Sequence, residues 1–232
     1  MLEAIVPECA AIDVRYEFCD DELFPEEREC LGVVVDKRLR EFTTGRACAR
    51  KAFHKLGIPQ CPIRIGPQRE PIWPRGITGS ITHCSGYFAA AVARAVDLAS
   101  IGIDVEENLP LCEGVLDVIS TPQERIEIHL RGDSRLNWDR LLFSAKESVY
   151  KAWYSLANQW LDFSECTIVW CPSGDLKPVG EELFAGDFVA HLARSWSSSR
   201  DAKSRLDGRF VFGKKHLATM VTLKRSTDDL AG

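Results

Sequence analysis

The chain has 232 residues, of which 45% are hydrophobic and 27% are charged, and its formal net charge is −5. These values are typical of a globular protein with one large domain or two small ones. The bulk charge does not attract nucleic acid, so we expect no nucleic-acid partner. The nine cysteines include no Cys-x-x-Cys pair, and no signal peptide or membrane-spanning apolar run is visible. We therefore expect a cytoplasmic protein with reduced thiols and no membrane contact.

The first half of the chain is predicted to contain a short helix, a long helix and several strands. Proline and two acids start the short helix at Leu23–Glu27. Apolar residues recur with helical spacing from Asp36 to Leu56. The proline- and glycine-rich stretch 57–79 is predicted to be a loop or irregular arm. Ser80–Thr82 follows as a short strand or turn, and Tyr87–Val96 as a strand or a short helix.

The second half is predicted to begin with a buried strand at Ala99–Val105 and to contain a helix that starts near Thr121. Trp138–Leu156 has the clearest helical pattern, because its apolar residues share one arc while Glu147 and Lys151 point away from it. The remaining predictions are strands at Trp160–Trp170 and Arg209–Leu223, the latter folded at Gly213-Lys214, a polar loop at Ser195–Ser204 and a frayed tail at Thr227–Gly232. Each half has one long helix and several strands, although no residue-level repeat is visible.

Carboxylates in two distant segments suggest a metal site. In a strand, Asp104 and Glu106 point to the same face, where they repel each other unless a cation lies between them. Glu147 and Lys151 lie one turn apart on a helix. Three carboxylates and a lysine could therefore meet a divalent cation and a phosphate, and an oxygen-only ligand set favours Mg²⁺. The alternative is a solvated strand edge and a solvated helix face.

Basic residues suggest where phosphate groups would bind. Lys146 and Lys151 could act on a diphosphate as point charges. His83 lies among small and hydroxyl-bearing residues, which leave backbone N–H groups accessible to phosphate oxygens. The helix 36–56 is dense in cations, which favours a polyanion. A structural histidine and a solvated helix face are the alternatives.

Several motifs in order resemble a known family. The motifs are Gly102–Glu106, Phe143–Trp153, Gly79–Tyr87, Glu41–Arg46 and Arg69–Pro74. The first two resemble the paired signature of 4'-phosphopantetheinyl transferases, and the others resemble the enterobactin-synthetase component D branch. The resemblance covers roughly residues 17 to 223.

The resemblance implies an α+β fold built as a pseudo-two-fold pair of similar α/β subdomains, each a small, mostly antiparallel sheet packed with a long helix. We expect the halves to be 1–98 and 99–232, with coenzyme A in the cleft between them and a monomeric protein. The implied reaction moves phosphopantetheine from coenzyme A to a serine of an apo acyl or peptidyl carrier protein. It requires Mg²⁺ and releases adenosine 3',5'-bisphosphate.

The resemblance also implies the reacting residues. Asp104, Glu106 and Glu147 match the metal ligands. Lys151 matches the lysine that contacts the diphosphate, and Lys146 lies beside it near the same phosphates. We expect Glu147 to take the proton of the carrier serine, directly or through a metal-bound water, and Lys151 to stabilise charge on the transferred group.

The rest of the implied site binds coenzyme A. His83, with Ser80 and Thr82, matches the segment that touches its phosphates and adenine. Arg38 and Arg46 match the arginines that hold its 3'-phosphate.

One position departs from the family pattern. Many relatives have a lysine near the adenine where this chain has Ile65, and Arg64 or Arg69 would have to substitute. The segment 109–137, rich in Leu and Ile and carrying several arginines, is the predicted carrier-docking surface. The pathway served stays open.

Two other functions remain as alternatives at this point. A metal-dependent nuclease could use the same carboxylates, although the expected Glu-x-Lys on the second strand is absent and the chain is acidic. A non-catalytic adaptor that binds carrier proteins or coenzyme A is the other.

Overall fold

The computed structural model describes residues 1–171, 176–195 and 204–225. This part of the chain contains helices and antiparallel sheets, so the predicted α+β class is confirmed. The predicted polar loop lies mostly outside the described residues, and the predicted tail lies wholly outside them. No helix within the described ranges is long and apolar enough to cross a membrane.

A three-stranded antiparallel sheet forms in the first half. Its order is β1 (Ala10–Arg15), β5 (Tyr87–Arg94) and β4 (Ile77–Cys84). β4 and β5 form a hairpin in which Ile77 pairs with Arg94 and Cys84 with Tyr87. A short ribbon of β2 (Arg64–Ile65) and β3 (Pro71–Ile72) lies in the proline-rich arm.

The second sheet is larger and also antiparallel. In spatial order it consists of β6 (Leu98–Glu107), β11 (His216–Lys224), β10 (Arg205–Phe212), β9 (Leu183–Leu192) and β7 (Cys166–Trp170), and β8 (Lys177–Gly180) also pairs with β9. The predicted hairpin between β10 and β11 is confirmed. The predicted strand at Trp160–Trp170 is wrong in its first part, because a 3-10 turn at Phe163–Glu165, capped by Asp162, precedes β7.

Two long helices flank the two sheets. The helices are α1 (Pro25–Leu31), α2 (Asp36–Lys55), α3 (Val115–Ile119), α4 (Pro122–Leu130) and α5 (Trp138–Ala157), and a 3-10 turn lies at Leu2–Ala4. The predicted bounds of the two long helices are therefore correct to within one residue. Thr121 caps α4 as predicted, by accepting the Glu124 N–H at 3.2 Å.

The layers run in the order α2, first sheet, second sheet, α5. Because side chains alternate along a strand, Phe88, Ala90 and Val92 of β5 pack against α2. Ala89 and Ala91 face the second sheet instead. This burial on both faces explains why an alanine-rich segment, ambiguous between helix and strand by sequence, forms a strand.

The two sheets meet along β4 and β6 through side-chain hydroxyls. The backbone N–H of Ile103 donates to Ser80 Oγ at 3.1 Å, and that of Val105 donates to Thr82 Oγ1 at 3.1 Å. One edge of β6 pairs with β11, so these hydroxyls satisfy donors on the other edge. Ser80 and Thr82 thus hold the two halves of the chain together.

Helix α5 lies directly on β6 at Gly102. A Cβ at this position would collide with the backbone oxygen of Ser148 and would lie 2.7 Å from the Ala152 nitrogen. Ser100, two residues earlier, donates to the Ala152 carbonyl at 2.7 Å. This close approach brings the Glu147–Lys151 turn of the helix beside Asp104.

Candidate active site

A cleft of about 480 Å³ lies where α5 faces β4 and the β2–β3 ribbon. Glu147, Tyr150 and Lys151 line one side, and Ser80 and residues 68–73 line the other. Its size is that of a small-molecule site. The cleft therefore joins residues from both parts of the sequence.

Lys151 and Asp104 form an ion pair beside the cleft. Lys151 Nζ donates to Asp104 Oδ1 at 2.7 Å and to the Ile103 carbonyl at 3.0 Å. The Thr82 hydroxyl donates to the same Asp104 oxygen at 3.3 Å. The other oxygen, Oδ2, is buried and has no hydrogen-bond partner among the described residues. A buried carboxylate oxygen in this state is suited to accept a cation or a donor from a ligand.

Glu147 and Glu106 are half-buried carboxyls near Asp104. Burial raises the pKa of the Glu147 carboxyl. The positive charge of Lys151 opposes this rise, and the negative charge of Asp104 adds to it. Burial likewise raises the pKa of Glu106, with Asp104 adding to the rise and Arg140 opposing it. Arg140 Nη1 donates to Glu106 Oε2 at 3.0 Å. Burial is the main cause in both carboxyls, and the negative charge of Asp104 acts in the same direction on each.

The carboxylates of Asp104, Glu106 and Glu147 have the ligand chemistry that a hard divalent ion requires. Their oxygens are the ligands that Mg²⁺ prefers, and Asp104 Oδ2 is free to bind one. Across the described ranges, however, no three His, Cys, Asp or Glu side chains are grouped closely enough to hold a metal ion. Lys151 and Arg140 instead neutralise Asp104 and Glu106. The three predicted ligands thus share a region without forming a closed coordination site.

His83 and Arg38 form a second polar pair, on the side of the site that faces α2. Arg38 Nη1 lies 3.4 Å from His83 Nε2, and Arg38 also pairs with Glu41 at 3.6 Å. Burial lowers the pKa of the His83 imidazole. The positive charges of Arg38 and Lys151 also lower this pKa, whereas the negative charge of Glu41 raises it. The imidazole is therefore neutral at pH 7 and can accept one hydrogen bond while donating another.

The Arg46 side chain contacts residues of the first half of the chain. Its Nε donates to the Ile63 carbonyl at 3.0 Å, and its guanidinium lies 3.9 Å from the centre of the Phe42 ring. Burial lowers its pKa to about 10, so it remains charged at neutral pH. A contact between Arg46 and a bound phosphate stays a prediction.

The two arginines considered as substitutes at Ile65 differ in position. Arg69 lines the cleft, in a turn where it adopts φ 67° and donates its backbone N–H to Gly66. Arg64 is exposed on β2 and does not line the cleft. Arg69 is thus the better placed of the two.

Lys146 lies on another side of α5 from Lys151. It is 2% exposed, and its Nζ donates to Glu124 Oε2 at 2.9 Å and to the Phe163 carbonyl at 3.0 Å. This differs from the prediction that Lys146 lies beside Lys151 near the same phosphates. Lys146 instead borders a separate cavity of about 210 Å³ that shares only Glu147 and Tyr150 with the cleft.

Sequence reasoning missed Arg140 and Tyr150. Counting from Leu142 at about 100° per residue puts Arg140 about 160° away, on the same stripe as Glu147 and Lys151. That signal was present in the sequence. Tyr150 lines both cavities, and the ring centroids of its neighbours Tyr154 and Trp160 lie 6.0 and 5.1 Å from its own.

Comparisons with known proteins identify two family domains along the chain. A model of the 4'-phosphopantetheinyl transferase N-terminal domain matches residues 26–93, and a model of the 4'-phosphopantetheinyl transferase superfamily matches residues 100–206. The junction between the two matches falls between β5 and β6, where the chain passes from one sheet to the other.

Three relatives illustrate the range of similarity. The 4'-phosphopantetheinyl transferase Svp of Streptomyces mobaraensis is 44% identical over 198 residues, which is 83% of this chain and 76% of that protein. The transferase Npt of Nocardia iowensis is 47% identical over 72% of this chain and 76% of its own. Enterobactin synthase component D of Escherichia coli K12 is 37% identical over 50% and 55%. The chain belongs to the 4'-phosphopantetheinyl transferase superfamily.

Proposed function

We propose that phosphopantetheine passes from coenzyme A to a serine of an apo acyl or peptidyl carrier protein in the cleft beside α5. The single observation that carries this proposal is the Lys151–Asp104 ion pair beside the cleft, with Glu147 one turn before Lys151 and an Asp104 oxygen that has no partner among the described residues. A cation, an acid-base group and an electron-rich oxygen are the groups that phosphoryl transfer requires.

Coenzyme A lies across the junction of the two halves in this proposal. We divide the chain at 1–98 and 99–232, which lies within one residue of the start of β6 at Leu98, the first strand of the chain that belongs to the second sheet. The cleft takes residues from both parts, which suits a ligand with a nucleotide at one end and a pantetheine arm at the other.

The nucleotide end binds near α2 and β4. His83 and Arg38 lie together there, and a cation beside a neutral imidazole can hold phosphate oxygens. Arg69, at the edge of the cleft, takes the place of the family lysine that is Ile65 here. Arg46 of α2 contributes positive charge to this nucleotide end of the site. Ser80 and Thr82 act mainly by joining β4 to β6, so their contact with coenzyme A is secondary.

Glu147 is the base. The serine oxygen attacks the phosphorus that carries the pantetheine, the bond from that phosphorus to the 5'-phosphate oxygen of the nucleotide breaks, and the serine proton passes to Glu147. Because burial raises its pKa, the carboxylate is a better proton acceptor than an exposed glutamate. Adenosine 3',5'-bisphosphate leaves with the electron pair of the broken bond.

Lys151 stabilises negative charge during the transfer. Its ammonium has a third N–H beyond the two that bind Asp104 and Ile103. That donor is available to an oxygen of the transferred phosphoryl group, where a preorganised cation is most effective.

We propose Mg²⁺ as the metal, held by Asp104, Glu106 and Glu147. When bound, it would neutralise charge on the diphosphate oxygens. The pairs that now engage Asp104 and Glu106 would then have to share those carboxylates with the ion.

The carrier docks on segment 109–137 in this proposal. Several large apolar side chains are exposed there, including Val118 at 77% and Leu130 at 78%. Its arginines pair locally, Arg125 with Asp117, Arg131 with Glu127 and Arg135 with Asp133. The surface therefore combines exposed apolar side chains with partly neutralised cations, which suits a short amphipathic helix of a carrier. We propose that a monomer acts alone.

The test is transfer to purified apo carrier proteins with coenzyme A, with and without Mg²⁺. Carriers from fatty acid, polyketide, nonribosomal peptide and siderophore pathways form the panel. A mass gain of one phosphopantetheine on the carrier serine, lost with a chelator and absent for a Ser→Ala carrier, supports the proposal. A protein that binds carrier and coenzyme A but modifies no carrier at any Mg²⁺ concentration would refute it and indicate an adaptor.

A further inference from the structure

Arg140 lies in the first turn of α5 and binds three residues of the segment 106–110 through one guanidinium. Its Nη1 donates to Glu106 Oε2 at 3.0 Å. Its Nε donates to the Leu109 carbonyl at 3.1 Å, and its Nη2 donates to the Pro110 carbonyl at 2.9 Å. A planar fork with fixed donor directions can make these three bonds together, whereas a single ammonium cannot match all three directions.

The neighbouring residues of the same turn bind the same backbone segment. Leu111 N–H donates to Asp139 Oδ2 at 2.8 Å. Asn137 donates its backbone N–H to Asn108 Oδ1 at 2.9 Å and its side-chain amide to the Asn108 carbonyl at 2.8 Å. Residues 108–111 are thus fixed to the start of α5 rather than left as a free loop. Arg140 is the member of this set that also reaches a carboxylate of the active site.

We propose that Arg140 is a positioning residue that holds Glu106 in place for the metal and ties that carboxylate to the backbone of residues 109–110. Arg140 occupies Oε2 and leaves Oε1 of Glu106 for a cation. The two carbonyl bonds prevent the arginine from moving away when the ion arrives. This inference rests on the proposed function, because it assumes that Glu106 is a ligand.

The opposing explanation is that Arg140 only neutralises Glu106. The two explanations predict opposite results for the removal of the guanidinium. Loss of a nearby positive charge by itself would make the carboxylates bind a divalent cation more tightly. Loss of a positioning partner would make them bind it less tightly, as removal of groups that orient metal ligands usually does.

The experiment measures Mn²⁺ binding by electron paramagnetic resonance in the presence of coenzyme A, for wild type, Arg140→Met and Arg140→Lys. Arg205→Met is the matched control, because Arg205 is an exposed arginine that pairs with a carboxylate two residues away. We expect Mn²⁺ affinity to fall about tenfold in both Arg140 variants and to be unchanged in the control. Thermal melting checks folding, and Arg140→Lys carries the test if Arg140→Met does not fold.

Kinetics provide a second readout. We expect the KM for the carrier to rise in both Arg140 variants, because residues 109–110 of the proposed docking surface lose the hydrogen bonds that Arg140 donates to their carbonyls, with a smaller change in the affinity for coenzyme A. Unchanged or tighter Mn²⁺ binding in Arg140→Met, or full recovery in Arg140→Lys, overturns the inference. If the wild-type protein itself binds no Mn²⁺ with coenzyme A, the proposed metal site fails and the inference fails with it.

Discussion

The two halves of the protein contain the same arrangement of a lysine, an isoleucine and an aspartate. In the second half, Lys151 at the end of a turn of α5 donates to the Ile103 carbonyl and to Asp104 Oδ1. In the first half, Lys55 of α2 donates to the Ile12 carbonyl and to Asp13 Oδ1 at 3.1 Å. The strand sequence Ile-Asp-Val is identical at both places.

The buried ion pairs of the two halves also correspond. Glu27 at the start of α1 pairs with Arg50 of α2 at 3.0 Å and accepts the Ile63 N–H at 2.9 Å. Glu124 at the start of α4 pairs with Lys146 of α5 at 2.9 Å and accepts the Ile168 N–H at 2.7 Å. In each half the strand-binding lysine lies five residues after the buried cation.

The difference between the halves lies around the aspartate. Asp13 has both oxygens engaged, Oδ1 by Lys55 and Oδ2 by Arg15 at 3.6 Å. Asp104 has one oxygen without a partner among the described residues. Arg15 stands where the second half has Glu106, and Lys51 stands where it has Glu147. The same scaffold therefore gives a structural ion pair in one half and a carboxylate-rich site in the other.

The largest expected effect separates Glu147 from its counterpart Lys51. Glu147→Gln keeps the shape of the side chain but cannot accept a proton, so we expect kcat for carrier modification to fall by about 10²–10⁴-fold. Lys51→Gln, an exposed change at the equivalent position, should alter kcat less than about twofold. The measurement is the initial rate of carrier mass gain, with coenzyme A binding measured separately. Near-normal turnover of Glu147→Gln would contradict its role as the base.

The next effect is on stability and should be similar in both halves. Glu27→Gln and Glu124→Gln each leave a buried cation without its carboxylate, which we expect to cost about 3–5 kcal/mol in the free energy of unfolding. Urea denaturation measures it, with Asp207→Asn as a control because the exposed Arg205–Asp207 pair contributes little. Equal losses in the control and in either variant would show that these buried pairs are not essential to the fold.

The sequence predicted much of the fold through local patterns. The long helices and the motif at Gly102–Glu106 were found because apolar spacing and strand alternation are local properties. Lys146 was misplaced although it lies about 40° from Leu142, at the edge of the apolar arc of α5. A charged residue on an apolar face is satisfied only by a distant partner, here Glu124, and a single sequence does not reveal such a partner.

The residue-level correspondence between the halves was missed for a related reason. Ile12-Asp13-Val14 and Ile103-Asp104-Val105 are visible in the printed sequence, but a three-residue match has no weight by itself. It becomes meaningful when both aspartates are seen to bind a lysine from a long helix. The Asp104 oxygen that has no partner in the described part of the chain likewise depends on packing that no local pattern encodes.

A smaller effect distinguishes how each long helix approaches its strand. In the second half the glycine is on the strand, and a Cβ at Gly102 would meet backbone of α5. In the first half the glycine is on the helix, and a Cβ at Gly45 would lie 3.0 Å from a methyl of Ile81. We expect Gly102→Ala to destabilise the protein by about 2 kcal/mol, because backbone cannot yield as a side chain can.

Gly45→Ala should change stability by less than about 1 kcal/mol, since the helix gains from alanine what the Ile81 contact loses. Thermal and urea unfolding of both variants measure the difference. If Gly45→Ala proved the more harmful variant, α2 would have to lie closer to its sheet than α5 does.

The smallest expected effect tests whether the first half can be converted into a metal site. The double variant Arg15→Glu, Lys51→Glu places carboxylates at the positions that correspond to Glu106 and Glu147 and releases Asp13 Oδ2 from Arg15. We expect a second Mn²⁺ ion to bind weakly, at millimolar concentration. Three carboxylates, one of them with an oxygen that no longer pairs with an arginine, attract a hard cation even when their geometry is not ideal. Electron paramagnetic resonance titration counts the bound ions, and the single variant Lys51→Glu, which leaves Arg15 on Asp13, is the control. If both variants bound only one ion, the correspondence between the halves would extend to the lysine and the aspartate but not to the residues that surround them. The site beside α5 would then depend on the residues that enclose it as much as on its charges.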